Sequence, residues 1–288
     1  MKVKTWLLVG ISGWLLFGWA CQTNRFRPTT PSAVKVMTYN IRLDAASDGP
    51  DNWHQRKADL AAYIQTQHPD FLGVQEALWP QLRYLDSLLT DYDYIGVGRD
   101  DGVRAGEFMA LFYKTDDWQL TRDSTFWLSA TPGVCSRGWD AACHRTATVG
   151  DFRHASGQSI HLVNTHLDHV GQEARRQSIQ LLTEHFKKQP SSIPSVLLGD
   201  FNFAPNDDLY QQLAASLTDT YTLARQRSVQ DGGTWNGFRT DGPFERRIDY
   251  IFVRPQGVTV DRLEIDQPRT ANNRQLSDHF PVIANLQL

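Results

Sequence analysis

Hydrophobic residues along this chain follow two alternating patterns: short apolar runs typical of buried strands, and longer stretches with the three-to-four-residue spacing of amphipathic helices. The predicted helices cover residues 53–67, 78–89, 172–188 and 207–215. The predicted strands cover residues 34–43, 71–75, 94–98, 108–113, 160–165, 196–198, 248–253 and 282–288. Neither a linker rich in proline and glycine nor an internal repeat divides residues 34–288, so the pattern predicts one α/β domain.

The start of the sequence has the pattern of an export signal. Lys2 and Lys4 precede an apolar run over residues 6–20, which is too short to span a bilayer comfortably. We therefore interpret residues 1–20 as a signal peptide and expect the mature chain outside the cytoplasm.

Cys21 directly follows this apolar run. Bacterial lipoproteins carry a cysteine at this point, which is lipidated and becomes the new N-terminus, so we expect residues 21–33 to form a lipid-anchored tether. Gly18 stands where a lipobox usually has leucine, and simple secretion or an uncleaved anchor are the alternatives. The expected location is that of a periplasmic or outer-membrane lipoprotein, otherwise that of a secreted protein, with the lipid anchor as the only membrane contact.

Composition limits what the mature chain can bind. With 41% hydrophobic and 21% charged residues, a chain of 288 residues can bury a full core, which excludes a disordered or coiled-coil protein. The formal charge of −3 provides no overall positive field to hold a polyanion. A phosphate group would therefore need a local binding site.

Two further cysteines, Cys135 and Cys143, lie close together in the sequence. A disulfide that closes this short loop is expected in an oxidising compartment. The alternative is a pair of free thiols, and no zinc-site spacing accompanies them.

Polar side chains follow four of the predicted strands at the point where each strand ends. They are Asn40, Glu76, His166, Asp200 and Asn202. Strands that deliver carboxylate, amide and imidazole groups to one rim of a sheet indicate a shared site.

Together with two later motifs, these residues resemble the endonuclease/exonuclease/phosphatase superfamily. The motifs are Thr38-Tyr39-Asn40, Gln75-Glu76, Asn164-Thr165-His166, Gly199-Asp200-Phe201-Asn202, Arg247-Ile248-Asp249-Tyr250 and Ser277-Asp278-His279, in the family's order. The resemblance covers residues 34–288 and implies an α/β fold, a four-layer αββα sandwich of two facing mixed β-sheets with outer helices. It also implies a Mg²⁺-dependent phosphoesterase with its site at one end of the sandwich.

The metal ligands that the resemblance implies are oxygen donors. Mg²⁺ prefers carboxylate and amide oxygens and keeps several waters, so few protein ligands suffice. Glu76 is the first candidate, Asn40 is expected to contribute its amide oxygen, and Asp278 is a further carboxylate on the metal side. Mn²⁺ is the alternative cofactor.

The other implied residues act on water and phosphate. The resemblance places Asp200 beside the attacking water or the metal, and Asn202 on the phosphate. Asp249 and His279 resemble an acid–histidine pair, in which His279 is either a general base or a cation that holds phosphate oxygens. His166 resembles the histidine that donates to a non-bridging oxygen in the transition state.

Two residues are candidate substrate contacts. Arg145 lies in a segment that resembles bacterial secreted members of the family and, through them, the deadenylase- and nocturnin-like branch. Its guanidinium has the fork geometry that suits a phosphate, and an ion pair with Asp140 is the alternative. Trp235, in a glycine-rich loop that precedes Asp249, is predicted to overhang the site.

Two departures count against particular subgroups. Arg42 stands where the base-excision endonucleases of the superfamily carry aspartate. Arg246-Arg247-Ile248-Asp249 differs from the Trp-Cys-Asp-Arg motif of the inositol-polyphosphate 5-phosphatases.

The sequence thus predicts a metal-dependent phosphoesterase, with a nuclease as one option, which cleaves a phosphodiester or phosphomonoester by in-line attack of water. A phospholipid or sphingomyelin phosphodiesterase and a sugar- or inositol-phosphate phosphatase would share the same catalytic residues. The substrate therefore stays open among nucleic acid, phospholipid and phosphorylated small molecules. The rival from another class is a binding protein that has kept the fold and lost its chemistry. A monomer is expected.

Overall fold

The structure of the protein, a computed structural model, describes residues 33–229 and 232–288, which are organised around two packed β-sheets. The predicted signal peptide, the lipidation site Cys21 and the tether up to residue 32 lie outside the described residues. Within the described ranges, no helix is both long and apolar enough to cross a membrane.

The first sheet mixes parallel and antiparallel pairs. Its strands, numbered along the chain and given in spatial order, are β10 (Gln226–Val229), β12 (Thr259–Ile265), β13 (Val282–Gln287), β1 (Ala33–Asn40), β2 (Phe71–Ala77), β4 (Phe108–Lys114) and β3 (Tyr92–Ile95). The central strand β1 pairs in parallel with β2 and antiparallel with β13. The parallel pair places Asn40 opposite Gln75, so Glu76 follows at the same edge.

The second sheet is also mixed. Its strands, in spatial order, are β5 (Trp118–Trp127), β6 (Thr146–His154), β7 (Ser159–His166), β8 (Ser195–Asp200), β11 (Asp249–Val253) and β9 (Thr218–Asp219). The parallel pair β7–β8 places His166 opposite Asp200, and the antiparallel pair β8–β11 places Asp249 opposite Asp200 from the other side. Strand pairing by itself therefore brings three predicted site residues to one edge.

Helices cover the outer faces of both sheets. They are α1 (Trp53–Gln67), α2 (Trp79–Leu88), α3 (Gln172–Lys187), α4 (Asp208–Ala214) and α5 (Thr220–Leu223), with a 3₁₀ segment (Ala46–Asp51) before α1. Leu60 of α1 and Leu85 of α2 pack in one hydrophobic cluster with the outer face of the first sheet. Leu182 of α3 and Leu213 of α4 do the same on the second sheet. The predicted four-layer sandwich is confirmed.

The inner faces of the two sheets form a continuous hydrophobic core. Phe71 of the first sheet lies in the same cluster as Leu198 and Ile251 of the second. The sheets approach most closely at Gly73, where an added Cβ would lie 1.9 Å from Cδ1 of Leu198. A larger residue at this position would force the sheets apart.

Asn164 joins the two sheets by hydrogen bonds across the core. Its side-chain nitrogen donates to the carbonyl oxygens of Val74 at 3.0 Å and Ala110 at 2.7 Å, and its oxygen accepts from Gln75 at 2.6 Å. Because these groups are fully buried, the bonds are costly to break. Asn164 therefore fixes the relative position of the strands that carry the site.

Arg56 of α1 fixes the loops beside the site and is 1% exposed. Its guanidinium donates to four backbone carbonyl oxygens, those of Ile41 at 2.5 Å, Arg42 at 2.9 Å, Asp51 at 2.9 Å and Leu276 at 3.0 Å. The loop after β1 is thereby held against the segment that leads into Asp278 and His279.

Several strands were missed by the sequence pattern, namely β5, β6, β9, β10 and β12. Most of β5 is exposed or half-buried at the edge of its sheet, so its polar residues hide the strand pattern. The strand predicted over residues 94–98 begins earlier in the structure, at Tyr92. The bounds of α1 agree with the prediction.

A histidine pair on the outer face of the second sheet predicts acid sensitivity of the fold. Nε2 of His185 lies 3.0 Å from Nε2 of the buried His161, whose Nδ1 lies 2.5 Å from Oδ1 of Asp151. Burial, and next the neighbouring His161, lower the pKa of His185 from 6.5 to about 4. The unfolded chain therefore binds more protons than the folded one between these values, and stability falls as the pH decreases through that window.

We expect His185→Gln to weaken this dependence, although Asp151, Arg122 and Lys188 stay in place around the pair. The measurement is the difference in melting temperature between about pH 7, above the window, and about pH 5, inside it. The exposed His54 supplies the control variant His54→Gln, which should behave like the wild type. Equal acid sensitivity of the His185 variant and the wild type would contradict the assignment.

Candidate active site

A cleft of about 440 Å³ opens at the end of the sandwich where β1, β2, β7 and β8 finish and β11 begins. The predicted site residues that line it are Glu76, Arg145, His166, Asp200, Asn202, Trp235, Asp278 and His279. Asn40 and Asp249 lie buried directly behind this wall, hydrogen-bonded to residues that line it. The fold thus brings all of the predicted catalytic, metal and substrate residues to one place.

Asp249 and His279 form the predicted acid–histidine pair. Oδ2 of Asp249 lies 2.9 Å from Nδ1 of His279, and both residues are buried. Burial alone would lower the pKa of His279, but the carboxylates of Asp249 and Asp200 raise it to about 10. The imidazole of His279 is therefore a cation at neutral pH.

Asp200 is the centre of the buried site. Its Oδ2 accepts from Nδ2 of Asn40 at 3.0 Å and lies 3.4 Å from Nε2 of His166 and 3.7 Å from Nε2 of His279. Burial, and next the charge of Asp249, raise the pKa of Asp200 to about 7. The Asp200, Asp249 and His279 side chains offer potential ligand atoms that all lie within 4.8 Å of one another.

His166 differs from His279 in its charge. Burial, and next the charge of Arg145, lower the pKa of His166 well below its ordinary value, so its imidazole is neutral. The side-chain nitrogen of Asn202 lies 3.0 Å from Nε2 of His166 and donates to the Leu167 carbonyl oxygen at 3.0 Å. Asn202 was predicted to contact phosphate, whereas in the structure its amide nitrogen is used to orient His166.

Glu76 occupies a strained position at the end of β2. Its φ of 65° lies in the left-handed region, and the pairing of β2 with β4 shifts register at this point. Such strain in a non-glycine residue is concentrated at functional sites. Its Oε1 accepts from Asn40 at 3.0 Å, and its Oε2 accepts from the backbone N–H of Leu43 at 3.1 Å.

The carboxylates around Glu76 are crowded in a way that suits a cation. Burial raises the pKa of Asp278, and Glu76 adds to this effect while His279 opposes it. Burial also raises the pKa of Glu107, where Arg99 opposes and Glu76 adds to the effect. Three carboxylates that destabilise one another's charge are oxygen donors that fit a hard divalent ion.

The structure corrects the predicted role of Asn40. Its amide oxygen accepts from the backbone N–H of Arg42 at 3.0 Å, so it does not face the carboxylates. Its amide nitrogen faces Glu76 and Asp200 instead. This orientation arises because the loop after β1 folds back over the side chain, and Asn40 holds two carboxylates in position.

Arg145 lines the cleft, but its partners differ from the predicted alternative. Its Nε donates to Asp168 at 3.3 Å, and its Nη2 lies 2.9 Å from Nδ1 of His169. Asp140, the alternative partner, accepts instead from the backbone N–H groups at the start of α3. The remaining guanidinium nitrogen, Nη1, is buried and has no hydrogen-bond partner in the described part of the chain.

The predicted disulfide between Cys135 and Cys143 is wrong for this structure, because both thiols are free. The Cys135 thiol is exposed and contacts the carbonyl oxygen of Asp100 at 3.1 Å. The Cys143 thiol faces Oδ2 of Asp168 at 3.7 Å. Each sulfur thus faces a different segment of the chain, one at Asp100 and the other at Asp168, and the spacing of the cysteines in the sequence does not reveal this.

Trp235 lies at the cleft as predicted, with the guanidinium of Arg246 5.2 Å from its ring centroid. Sequence reasoning missed five other cleft residues, namely Arg42, Arg99, Glu107, His169 and Arg246, as members of the site. Arg99 and Glu107 pair at 2.5 Å and come from one loop that has no family motif. The only signal for them was the position of that loop between two predicted strands.

The fold and this site define a hydrolase of phosphoester bonds. The sequence profile described as the Endonuclease/Exonuclease/phosphatase family matches residues 37–279, and the chain belongs to that family. This membership, together with the intact site, removes the non-catalytic binding protein as an interpretation.

Similar proteins include both solved structures and curated relatives. A mannosyl-6-phosphatase from Bacteroides thetaiotaomicron is 37% identical, and the similarity covers 88% of this chain and 100% of that one with a TM-score of 0.84. A family protein from Bacteroides vulgatus is 39% identical, with coverage of 89% and 99% and a TM-score of 0.84. Human nocturnin is 26% identical over 88% of this chain, and the match spans 64% of the length of nocturnin.

The Asp249–His279 pair predicts strongly non-additive effects of mutation. We expect His279→Ala and Asp249→Asn each to lower kcat on the order of 10²–10³-fold, the range for loss of one preorganised donor to a phosphate oxygen. The double variant should be barely worse than the worse single variant, because the two side chains act as one unit. The measurement is kcat for phosphoester hydrolysis at saturating Mg²⁺, with melting temperatures as the folding control. Logarithmic losses that simply add would mean independent roles.

Proposed function

We propose that this protein is a Mg²⁺-dependent phosphoesterase, with Mn²⁺ as the alternative ion, that transfers a phosphoryl group of its substrate to water. The observation that carries the proposal is the arrangement of one protonated and one neutral histidine, His279 and His166, beside Asp200 in one cleft. This arrangement supplies a cation, a neutral donor and a proton acceptor at the same place.

Phosphoester cleavage requires neutralisation of the non-bridging oxygens, an oriented water molecule and a proton for the leaving oxygen. His279, kept protonated by Asp249, donates to a phosphate oxygen and does not act as the base. Asp200 accepts the proton of the attacking water as the water oxygen bonds to phosphorus. The bond from phosphorus to the leaving oxygen breaks, and the leaving oxygen takes up a proton from the solvent in the open cleft. His166 donates to a second phosphate oxygen, since Asn202 holds its Nε2 and leaves Nδ1 free.

We further propose that Glu76 and Asp278 hold the divalent ion. Their crowding with Glu107 in the cleft supports this choice, because bound positive charge would relieve the repulsion. When bound, the ion would neutralise charge on the phosphate oxygens and on the leaving oxygen.

For the substrate we propose a phosphorylated carbohydrate, either a phosphate ester or a phosphodiester-linked glycan. The similarity to a mannosyl-6-phosphatase over nearly the whole domain supports this class. Trp235 at the cleft provides an aromatic face against which a sugar ring can pack. We propose that Arg145, which lines the cleft, binds the phosphate. A nuclease is the second candidate, supported by membership of the Endonuclease/Exonuclease/phosphatase family.

Replacing Glu76 tests the metal site. Glu76→Gln keeps the shape of the side chain and removes the charge that attracts the ion, so activity should collapse and the apparent metal affinity should weaken. The measurements are hydrolysis of mannose 6-phosphate and p-nitrophenyl phosphate over a Mg²⁺ titration, with melting temperatures that should change little. The exposed Glu184 provides the control Glu184→Gln. An unchanged metal dependence in Glu76→Gln would transfer the ligand role to other carboxylates.

We also propose that the chain is exported and lipidated at Cys21, on the support of the sequence alone. Mass spectrometry of the mature protein should show a diacylglyceryl-modified Cys21 as the N-terminal residue. Cys21→Ser should lose this modification and the membrane association. An unmodified terminus at any other residue would contradict the proposal.

A further inference from the structure

One wall of the cleft carries buried hydrogen-bond donors that have no partner among the described residues. They are Nη1 of Arg145, Nε of Arg99 and Nδ1 of His166. The side chains of Arg145 and His166 are each 4% exposed. Because buried polar groups are normally satisfied, three such donors on one wall indicate a group that the cleft receives.

We propose that this wall binds the terminal phosphoryl group of a phosphomonoester, and that the enzyme therefore hydrolyses monoesters in preference to diesters. The inference rests on the proposed function and specifies its substrate class. A monoester phosphoryl has three non-bridging oxygens and carries up to two negative charges. A diester has two such oxygens and one charge, because the second ester group replaces the third oxygen.

The free donors of the wall match the three non-bridging oxygens of a monoester phosphoryl in number. Two of them belong to the guanidinium groups of Arg145 and Arg99, and guanidinium binds phosphate oxygens through directed donors. Glu107 pairs with Arg99 at 2.5 Å, and Asp168 pairs with Arg145 at 3.3 Å. The free donors of both arginines are thus available to a phosphate without loss of these pairs.

The wall is rigid behind Arg145, which disfavours a second ester group there. Asp168 accepts from the backbone N–H groups of Ala142 at 3.1 Å and Gly171 at 2.7 Å as well as from Arg145. His169 contacts the guanidinium at 2.9 Å from another side. A substituent on the oxygen that Arg145 contacts would have to displace this network.

Two loops that are distant in sequence build the wall together. The indole N–H of Trp127 donates to the carbonyl oxygen of Arg99 at 2.8 Å. Nδ1 of His144, the neighbour of Arg145, lies 2.9 Å from Oδ1 of Asp100. The two guanidinium groups, each with one nitrogen that has no partner among the described residues, are therefore held in a fixed relation before any substrate binds.

The test compares p-nitrophenyl phosphate with bis-p-nitrophenyl phosphate at saturating Mg²⁺. For the wild type, we expect kcat/KM to favour the monoester by more than about 100-fold. Arg145→Met keeps an unbranched apolar stem and removes the donors. The monoester kcat/KM should then fall on the order of 10²-fold, the loss typical of one oxyanion donor, and the diester value by less than about 10-fold.

Arg175→Met is the matched control. Arg175 donates to the carbonyl oxygen of Asp168, so it supports the same loop, but it does not line the cleft. Both activities of this variant should stay within about twofold of the wild type once folding is verified. Arg145→Lys is the second variant if Arg145→Met does not fold. Lysine keeps the positive charge but lacks the planar, forked set of guanidinium donors, so this variant should also lower the preference for the monoester.

A binding measurement separates recognition from turnover. Inorganic phosphate should inhibit the wild type competitively, and Arg145→Met should raise its inhibition constant at least about tenfold if the guanidinium contributes one charged contact. A wild type that hydrolyses the diester equally well, or equal losses of both activities in the Arg145 variants, would overturn the monoester preference while leaving a phosphoesterase. Failure of the wild type to hydrolyse either compound would instead overturn the proposed function.

Discussion

Two carboxylates, Asp200 and Asp249, are buried opposite each other on neighbouring strands, and the imidazolium of His279 is what allows both to stay there. Removing one partner from a buried ion pair costs about 3–5 kcal/mol, because the other charge is left uncompensated. The position of His279 is therefore a condition for the stability of this end of the sandwich as well as for its chemistry. The other features of the site serve to keep that imidazole in place.

Buried polar side chains connect the segments that carry the site. Arg56 ties the loop after β1 to the segment before Asp278, and Ser277 donates to the carbonyl oxygen of Asn40 at 2.7 Å. Asn164 fixes the two sheets to each other at the same end. Catalytic groups on loops can thus keep a constant geometry, because their backbone is bonded to a rigid scaffold.

The charge of the whole chain is a poor guide to the cleft. The net charge of −3 excludes long-range attraction of a polyanion, yet Arg99 and Arg145 concentrate positive charge on one wall. Carboxylates line the same cleft around Glu76, where Arg42 lies 3.8 Å from Glu76 and Glu107 pairs with Arg99. A site that combines acidic and basic groups suits a substrate that brings negative charge and a metal ion that brings positive charge.

The sequence by itself determined the class of fold and the residues at the strand ends, because strand periodicity and the order of motifs are local properties. Asn40, Glu76, His166 and Asp200 follow apolar runs, and each run is long enough to be recognised as a strand. Only the tertiary structure decided which groups meet. It paired Arg145 with Asp168 instead of Asp140 and left Cys135 and Cys143 unbridged. It also added Arg99 and Glu107 from a loop without a motif, and made one histidine a cation while leaving the other neutral, because burial and neighbouring charges depend on contacts between segments that are far apart in the chain.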